Sequence, residues 1–296
     1  MKKAGILLLS LLMPFSTAFA EASKPLSVEL LWQLKRIGNP VVSSTGEHII
    51  APVTEYDLKE DKGSTQLWRF DSEGKNNRAI TAKGLKVSEP VFSPDGKTLA
   101  FISERNDDDA GQIYLLPMDG PGEASKLTDI PTGVNGIKWV GKHLYFISNI
   151  FPEQNWEQMK AQLKTDKDNK VSARQWNALP YSQFDHWLDE RRQAHVFRIP
   201  ATGGAVEAVT QPLGHELPRS SQSSSSYDIS PDERLIAFSA YGSDNRVDPK
   251  LDLFLATIGG SKAENITPEN PAPDLNPSFS PNGKTLAFTR QKITGF

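Results

Sequence analysis

A chain of 296 residues without cysteine must draw any chemistry from hydroxyls, imidazoles, carboxylates or bound cations. A nucleophilic serine of the hydrolase type sits in a G-x-S-x-G elbow between strand and helix, where a strained turn exposes the hydroxyl. No serine here has glycine on both sides at that spacing. Gly259-Gly260-Ser261-Lys262-Ala263 lacks the second glycine and lies between two strand patterns. The histidines are His48, His143, His186, His195 and His215, and none stands in H-E-x-x-H or another close ligand spacing. His186 and His195 flank one charged turn and could meet across strands as a metal pair. His48 and His143 follow matching turns, as a structural position would. The acidic run Glu104 to Asp109 could hold calcium or be a solvated loop. Asp185, Asp189, Glu190 and Arg191 form the densest charge cluster beside aromatic residues. Carboxylates so placed can pair with a peptide amino terminus, and a charged hairpin tip is equally ordinary solvation. Phosphate loops of the G-x-x-x-x-G-K type are absent. The reading assigns no catalytic residue, no metal ligand, no cofactor and no specific substrate contact.

The elements that would position such groups are plainer. Phe92 to Phe101, F-S-P-D-G-K-T-L-A-F, sets two apolar runs around Pro94-Asp95-Gly96. Proline presets the first turn position, aspartate bonds back to nearby amides, and glycine accepts the left-handed backbone. The pattern recurs at Tyr227 to Phe238 and Phe279 to Phe288, and more weakly at Val42 to Pro52. In Trp139 to Phe146 the turn is two residues shorter. Turn positions Gly46, Gly96, Gly141, Glu233 and Gly283 stand 50, 45, 92 and 50 residues apart, the long interval being one period plus an insertion. Each copy before the last precedes a second strand pair, as in Gln66–Asp71 with Arg78–Thr81, Gln112–Leu116 with Ser125–Thr128, and Leu251–Leu255 with Ala263–Thr267. A repeat of about 40–50 residues with four strands per unit is the mark of propeller blades. The alternation places one strand face against the neighbouring blade and the other toward water or the blade's far side. The expected fold is all-β: an incomplete β-propeller of about four four-stranded blades plus a terminal hairpin, with a short helical insertion in blade three.

Residues 1–20 stand apart. Met1-Lys2-Lys3, an apolar Ile6 to Met13 and a small-residue site at Ala18-Phe19-Ala20 read as a secretory signal peptide, with an uncleaved anchor as the alternative. Losing Lys2 and Lys3 takes the formal charge from −3 to −5. That acidity and the lack of a basic stripe argue against nucleic acid. Export without disulfides suits a periplasm, and no other long apolar run predicts a membrane segment. Residues 21–296 are then the partial propeller. Val28 to Ile37 has helical spacing. Blade one runs to about Lys83, blade two spans about Ser88 to Asp129, and blade three opens at Gly136. Pro152 to Pro180 forms the insertion, with Asn155 as cap and Trp156, Met159 and Leu163 as a stripe. It either packs plainly on the blade or helps to shape a binding site. Phe184–Leu188 and Ala194–Ile199 read as strands joined by the charged turn Asp189–Arg192. Gln211 to Ser226 reads as a slack polar connection. Blade four ends near Thr267, and Ser278–Arg290 is the opening hairpin of another unit.

The opening L-L-W-Q-L-K-R-I-G-N-P-V-V-S-S-T-G-E-H-I-I-A-P, then Q-L-W-R-F-D, then E-P-V-F-S-P-D-G-K-T-L-A-F-I-S-E-R-N, resembles the propeller of prolyl oligopeptidase-family serine peptidases. The likeness is to the exported dipeptidyl-peptidase and acylaminoacyl-peptidase branch. F-D-H-W-L-D-E-R-R-Q-A-H-V-F-R-I, after the helical insert, is similar to that branch's own pattern. The resemblance implies a propeller that screens an active site and admits short peptides. It also implies a following α/β-hydrolase domain with a Ser-Asp-His triad, which this sequence lacks. The expectation is therefore a truncated propeller segment of a periplasmic serine exopeptidase, inactive alone and prone to self-association through open propeller edges. The alternative is a stand-alone TolB-like propeller that binds a protein or cell-wall partner.

Overall fold

The computed structural model describes residues 25–294, apart from 106–107, 121, 172, 178, 180, 220–221 and 243–249. The chain divides into two units, Met1–Leu34 and Lys35–Phe296. In the first, helix α1 (Val28–Gln33) is capped by Ser27, whose hydroxyl accepts from Leu30 N. The helix stops at Gln33, four residues short of the expectation. Leu34 is already extended, and Arg36–Ile37 is a strand paired with Val53–Thr54. Apolar spacing alone could not show that sheet pairing claims these last residues, and tertiary pairing overrides weak helix propensity.

The second unit is an incomplete propeller of antiparallel sheets in chain order. Blade one holds Arg36–Ile37 and Val41–Val42, then Ile49–Asp57, Lys62–Phe70 and Arg78–Ala79. Its first two pieces pair with the same strand on either side of Gly38-Asn39-Pro40, so they act as one interrupted inner strand. Blade two holds Lys86–Phe92, Thr98–Glu104, Gln112–Pro117 and Ser125–Lys126. Blade three holds Asn135–Val140, His143–Ile150, Gln193–Pro200 and Glu207–Ala208. Blade four holds Tyr227–Ile229, Leu235–Tyr241, Leu251–Thr257 and Ala263–Asn265, and a hairpin of Asp274–Phe279 with Leu286–Arg290 follows.

The turn chemistry works as the repeat predicts. Ser93 Oγ donates to Asp95 Oδ1 at 2.6 Å and accepts from Thr98 N at 3.0 Å. Ser230 with Asp232 and Ser280 with Asn282 repeat that net. Turn residues Gly46, Gly96, Gly141 and Gly283 have positive φ, and so does Glu233 at 56°. Glu233 thus occupies the glycine place despite the steric cost of a Cβ there.

A second repeated device closes each blade. Thr81, Thr128, Thr210 and Thr267 stand just past the fourth strand. Their hydroxyls accept from Leu67 N, Ile113 N, Val196 N and Leu253 N, each at 2.9 Å. A strand that ends early would otherwise leave these amides without partners.

The core lies between consecutive blades, not inside any one. Ile50 and Leu67 of blade one meet Phe92, Leu99 and Phe101 of blade two. Ala100 and Ile102 face the other way, onto Leu144 and Phe146 of blade three. Tyr145 and Ile147 in turn meet Ile236 and Phe238 of blade four. Both faces of the second strands in blades two and three are therefore buried. A strand sandwiched twice reads as a continuous apolar run.

Three further expectations change. Phe184–Leu188 does not pair with Ala194–Ile199; Ser182–Gln183 and His186–Trp187 make a separate small hairpin. The true neighbour of Gln193–Pro200 is His143–Ile150, over eight paired positions, a partner far away in sequence. Gln211 to Ser226 is not slack, since Leu213 and Leu217 are buried and Leu217 bridges Ala194. In the acidic run, Asp108 is no solvated loop residue: its carboxylate is buried between Lys126 and Tyr114.

Candidate functional site

The insertion of blade three builds one wall of a recess. Helix α2 (Trp156–Asp168) starts at a capping box, with Asn155 Oδ1 accepting from Gln158 N and Gln158 Oε1 accepting from Asn155 N, both at 2.9 Å. It runs to Asp168, three residues into the charged stretch Asp166–Lys170 that reads as a turn in the sequence. Met159 is buried, with Trp156 and Leu163 packed beside it. The Trp156 ring lies 5.4 Å from that of Phe197 in blade three. With that stripe anchored, Lys160, Lys164 and Lys167 fall along another edge at helical spacing. This edge and the blade-two loops near Asp108–Gln112 and Asp129–Thr132 enclose a cavity of about 850 Å³.

The cavity wall is organised by hydrogen bonds. The Gln112 side chain donates to Ile130 O and accepts from Ile130 N and Thr128 Oγ1, all at 2.9 Å. Lys126 Nζ bridges Asp108 at 2.8 Å and Asp129 at 2.6 Å. Burial pushes the Asp108 carboxyl upward, but Lys126 and the Tyr114 hydroxyl outweigh it and hold the group below its ordinary value. Lys167 lies 3.5 Å from Asp109 across the opening.

The charge cluster singled out in the sequence is a staple for this helix. Arg191 joins Asp166 of α2, at 2.8 Å, to Asp189, at 2.9 Å. Arg191 and Arg192 also lie over the Phe151 ring. Burial raises the Asp189 carboxyl, and Arg191 more than reverses that. Glu190 accepts from the backbone and side-chain nitrogens of Asn177. Asp185 stays at the exposed hairpin, 3.3 Å from His186.

The histidines go separate ways. His195 is buried in its strand opposite Ser148, while His186 is exposed on the small hairpin, so the proposed pair does not form. Burial lowers the His195 pKa to about 4. His48 stacks against Phe92, and His215 lies 4.3 Å from the Phe254 ring. His143 Nδ1 sits 2.7 Å from Glu233 Oε1 of the next blade. Tyr145 donates to the same oxygen, and a Cβ on Gly141 would collide with this carboxylate. Ser261 is exposed in the turn after Leu251–Thr257. Among the described residues, no three or more His, Asp or Glu side chains are placed to hold a metal ion.

A shallower groove of about 440 Å³ opens between the turns of blades two and three, lined by Pro94, Trp139, Lys142 and Pro200. Sequence reasoning missed two features. One is the carboxylate of Glu89, which reaches into the next blade to accept from Ile137 N at 3.0 Å and whose pKa burial raises. The other is the cluster of Trp176, Tyr181 and Trp187. The pairing of Lys86–Phe92 with Thr98–Glu104 shifts register between Ser88 and Val91, where Pro90 follows Glu89, but nothing local signals a carboxylate pointing across blades. The arrangement is suited to holding a ligand by charge and shape.

No family model matches the chain. It is 24% identical over 290 residues to dipeptidyl-peptidase 5 of Porphyromonas endodontalis, covering 93% of this chain and 40% of that protein. The same identity and length hold for dipeptidyl-peptidase 5 of Porphyromonas gingivalis, over 95% of this chain and 41% of the relative. The chain thus spans about two fifths of the length of these curated relatives. Among solved structures, acylaminoacyl peptidase of Pyrococcus horikoshii matches with a TM-score of 0.56 at 16% identity, over 80% of this chain and 33% of that one. At that identity the structural likeness speaks for the fold alone. Together the matches make this a propeller-type domain with homology to peptidase-family proteins.

Proposed function

We propose that this chain is the substrate-filtering propeller portion of an exported serine exopeptidase acting on short peptides, and that it supplies no bond-making group itself. The observation that carries this reading is the colinear match to two dipeptidyl-peptidases along nearly the whole chain. The α2 cavity supports it. Its volume falls within the roughly 300–1,000 Å³ usual for small-ligand pockets, and its walls offer both charge signs to a zwitterionic peptide. The leader-like Met1–Ala20 supports export to the periplasm.

The test is a titration of the purified chain with di- and tripeptides carrying free termini, followed by NMR. Saturable shifts are expected in the Ala161 and Leu163 methyl groups, which line the cavity, weakened when Lys160 and Lys164 are both replaced by glutamate. A folded protein showing no shifts at α2 with any such peptide would overturn the role given to this cavity.

A further inference from the structure

The small hairpin at 182–187 carries a surface that the fold does not use. Phe184 stands at its tip with φ of 50° and 94% of its surface exposed. A phenylalanine in that backbone region costs about 1–2 kcal/mol relative to glycine, and its ring covers nothing. Stability therefore gives no reason for phenylalanine there. Beside it, the Tyr181 and Trp187 rings lie 6.2 Å apart with 27° between their planes. Trp176 backs Trp187 at 5.0 Å and is held in place by donating from Nε1 to Leu188 O at 2.7 Å. Tyr181 and Trp187 nevertheless remain about half exposed. The platform is braced behind and open in front.

Residues 181–190 contain Asp185, Asp189 and Glu190 and no lysine or arginine. Asp189 is taken by Arg191 and Arg192, and Glu190 by Asn177. Asp185, beside His186 at the exposed tip, is the carboxylate best placed for an incoming cation. Aromatic faces attract cations, and arginine in particular stacks flat on them while pairing with a carboxylate. We infer that this hairpin docks a peptide segment presenting an arginine beside an apolar residue. The guanidinium lies on the Tyr181–Trp187 platform next to Asp185, and the apolar side chain covers Phe184. This site is separate from the α2 cavity and does not depend on the peptidase reading.

The test uses peptides with both ends blocked, which cannot act as zwitterions in the α2 cavity. Tryptophan fluorescence of the purified chain is titrated with acetyl-Leu-Arg-Leu-amide and with its citrulline analogue. The arginine peptide is expected to bind about five- to tenfold more tightly, the margin that a partly desolvated cation–π contact with a carboxylate supplies. Asp185→Asn should remove most of that margin. Phe184→Gly should weaken binding of both peptides while leaving the melting temperature unchanged or higher, because glycine suits the positive φ. Equal affinity for arginine and citrulline, unaltered binding by Phe184→Gly, or no binding of either peptide would overturn the inference. So would dimerisation in sedimentation that is lost in Phe184→Gly and insensitive to peptide, or saturation of the platform by a neutral oligosaccharide in the peptide's place.

Discussion

Glu233 shows how a single residue can break a repeat's rule for a gain elsewhere. The turn asks for glycine, as the four other copies supply, and Glu233 adopts the same left-handed backbone. In return its carboxylate reaches His143 Nδ1, Tyr145 Oη and Lys142 N on the preceding blade. Glu233→Ala should keep the strain and lose these contacts, whereas Glu233→Gly loses the contacts but relieves the strain. Urea unfolding should then place the glycine variant above alanine by about 1 kcal/mol, with both below the native chain. Equal midpoints for the two variants would contradict a strained turn. His195 offers a test by pH. Its buried imidazole stays neutral down to about pH 4, against an ordinary value of 6.5. As pH falls through 6.5 the unfolded chain takes a proton that the folded form refuses. Stability is therefore complete above that value and declines until the folded imidazole also titrates near 4. The loss is on the order of 3 kcal/mol. Comparing the native chain with His195→Gln from about pH 7.5 to about pH 4.5 should show a shallower decline in the variant; parallel curves would refute this. In the sequence, Glu233 could be recognised as standing in a glycine's place, but its partners could not, because they lie a blade away.

At the level of elements, the repeat was legible because its turns are local chemistry. Ser-Pro-Asp-Gly and Ser-Pro-Asn-Gly each form their hydrogen bonds within five residues. The insertion was legible for the same reason, since Asn155, Met159 and the helical stripe are all short-range signals. The strand after the insertion was misplaced because Gln193–Pro200 pairs with residues more than forty positions earlier. Phe184–Leu188 offered a nearer run of similar character. The four closing threonines each end a strand pattern that is plain in the sequence, but the amides they serve lie 14 or 15 residues earlier. Their importance is testable at Thr128, which accepts from Ile113 N and donates to Gln112 Oε1. Thr128→Val keeps the shape and leaves a buried amide and a buried carbonyl short of a partner. The expected cost is about 1–3 kcal/mol by chemical denaturation. A variant as stable as the native chain would mean that the blade closes without this bond.

Across the whole propeller unit, the order of blades follows the order of the sequence, and each apolar cluster joins one blade to the next. That linear plan is why four blades and a hairpin could be counted before any coordinates. The same plan buries the second strands of blades two and three on both faces: the second covering face comes from a neighbour, and periodicity within one strand does not reveal which. The α2 recess and the aromatic hairpin are harder to foresee, since each brings together residues that stand far apart or in no regular spacing in the insertion and its neighbours. The central claim is that these residues hold and select peptides without cleaving them. The most direct measurement exposes the purified chain to a serine-reactive fluorophosphonate and, in parallel, to dipeptidyl naphthylamides. The account predicts no covalent labelling and no naphthylamine release. Stoichiometric labelling of one serine in the folded protein, abolished by denaturation and accompanied by turnover, would contradict it.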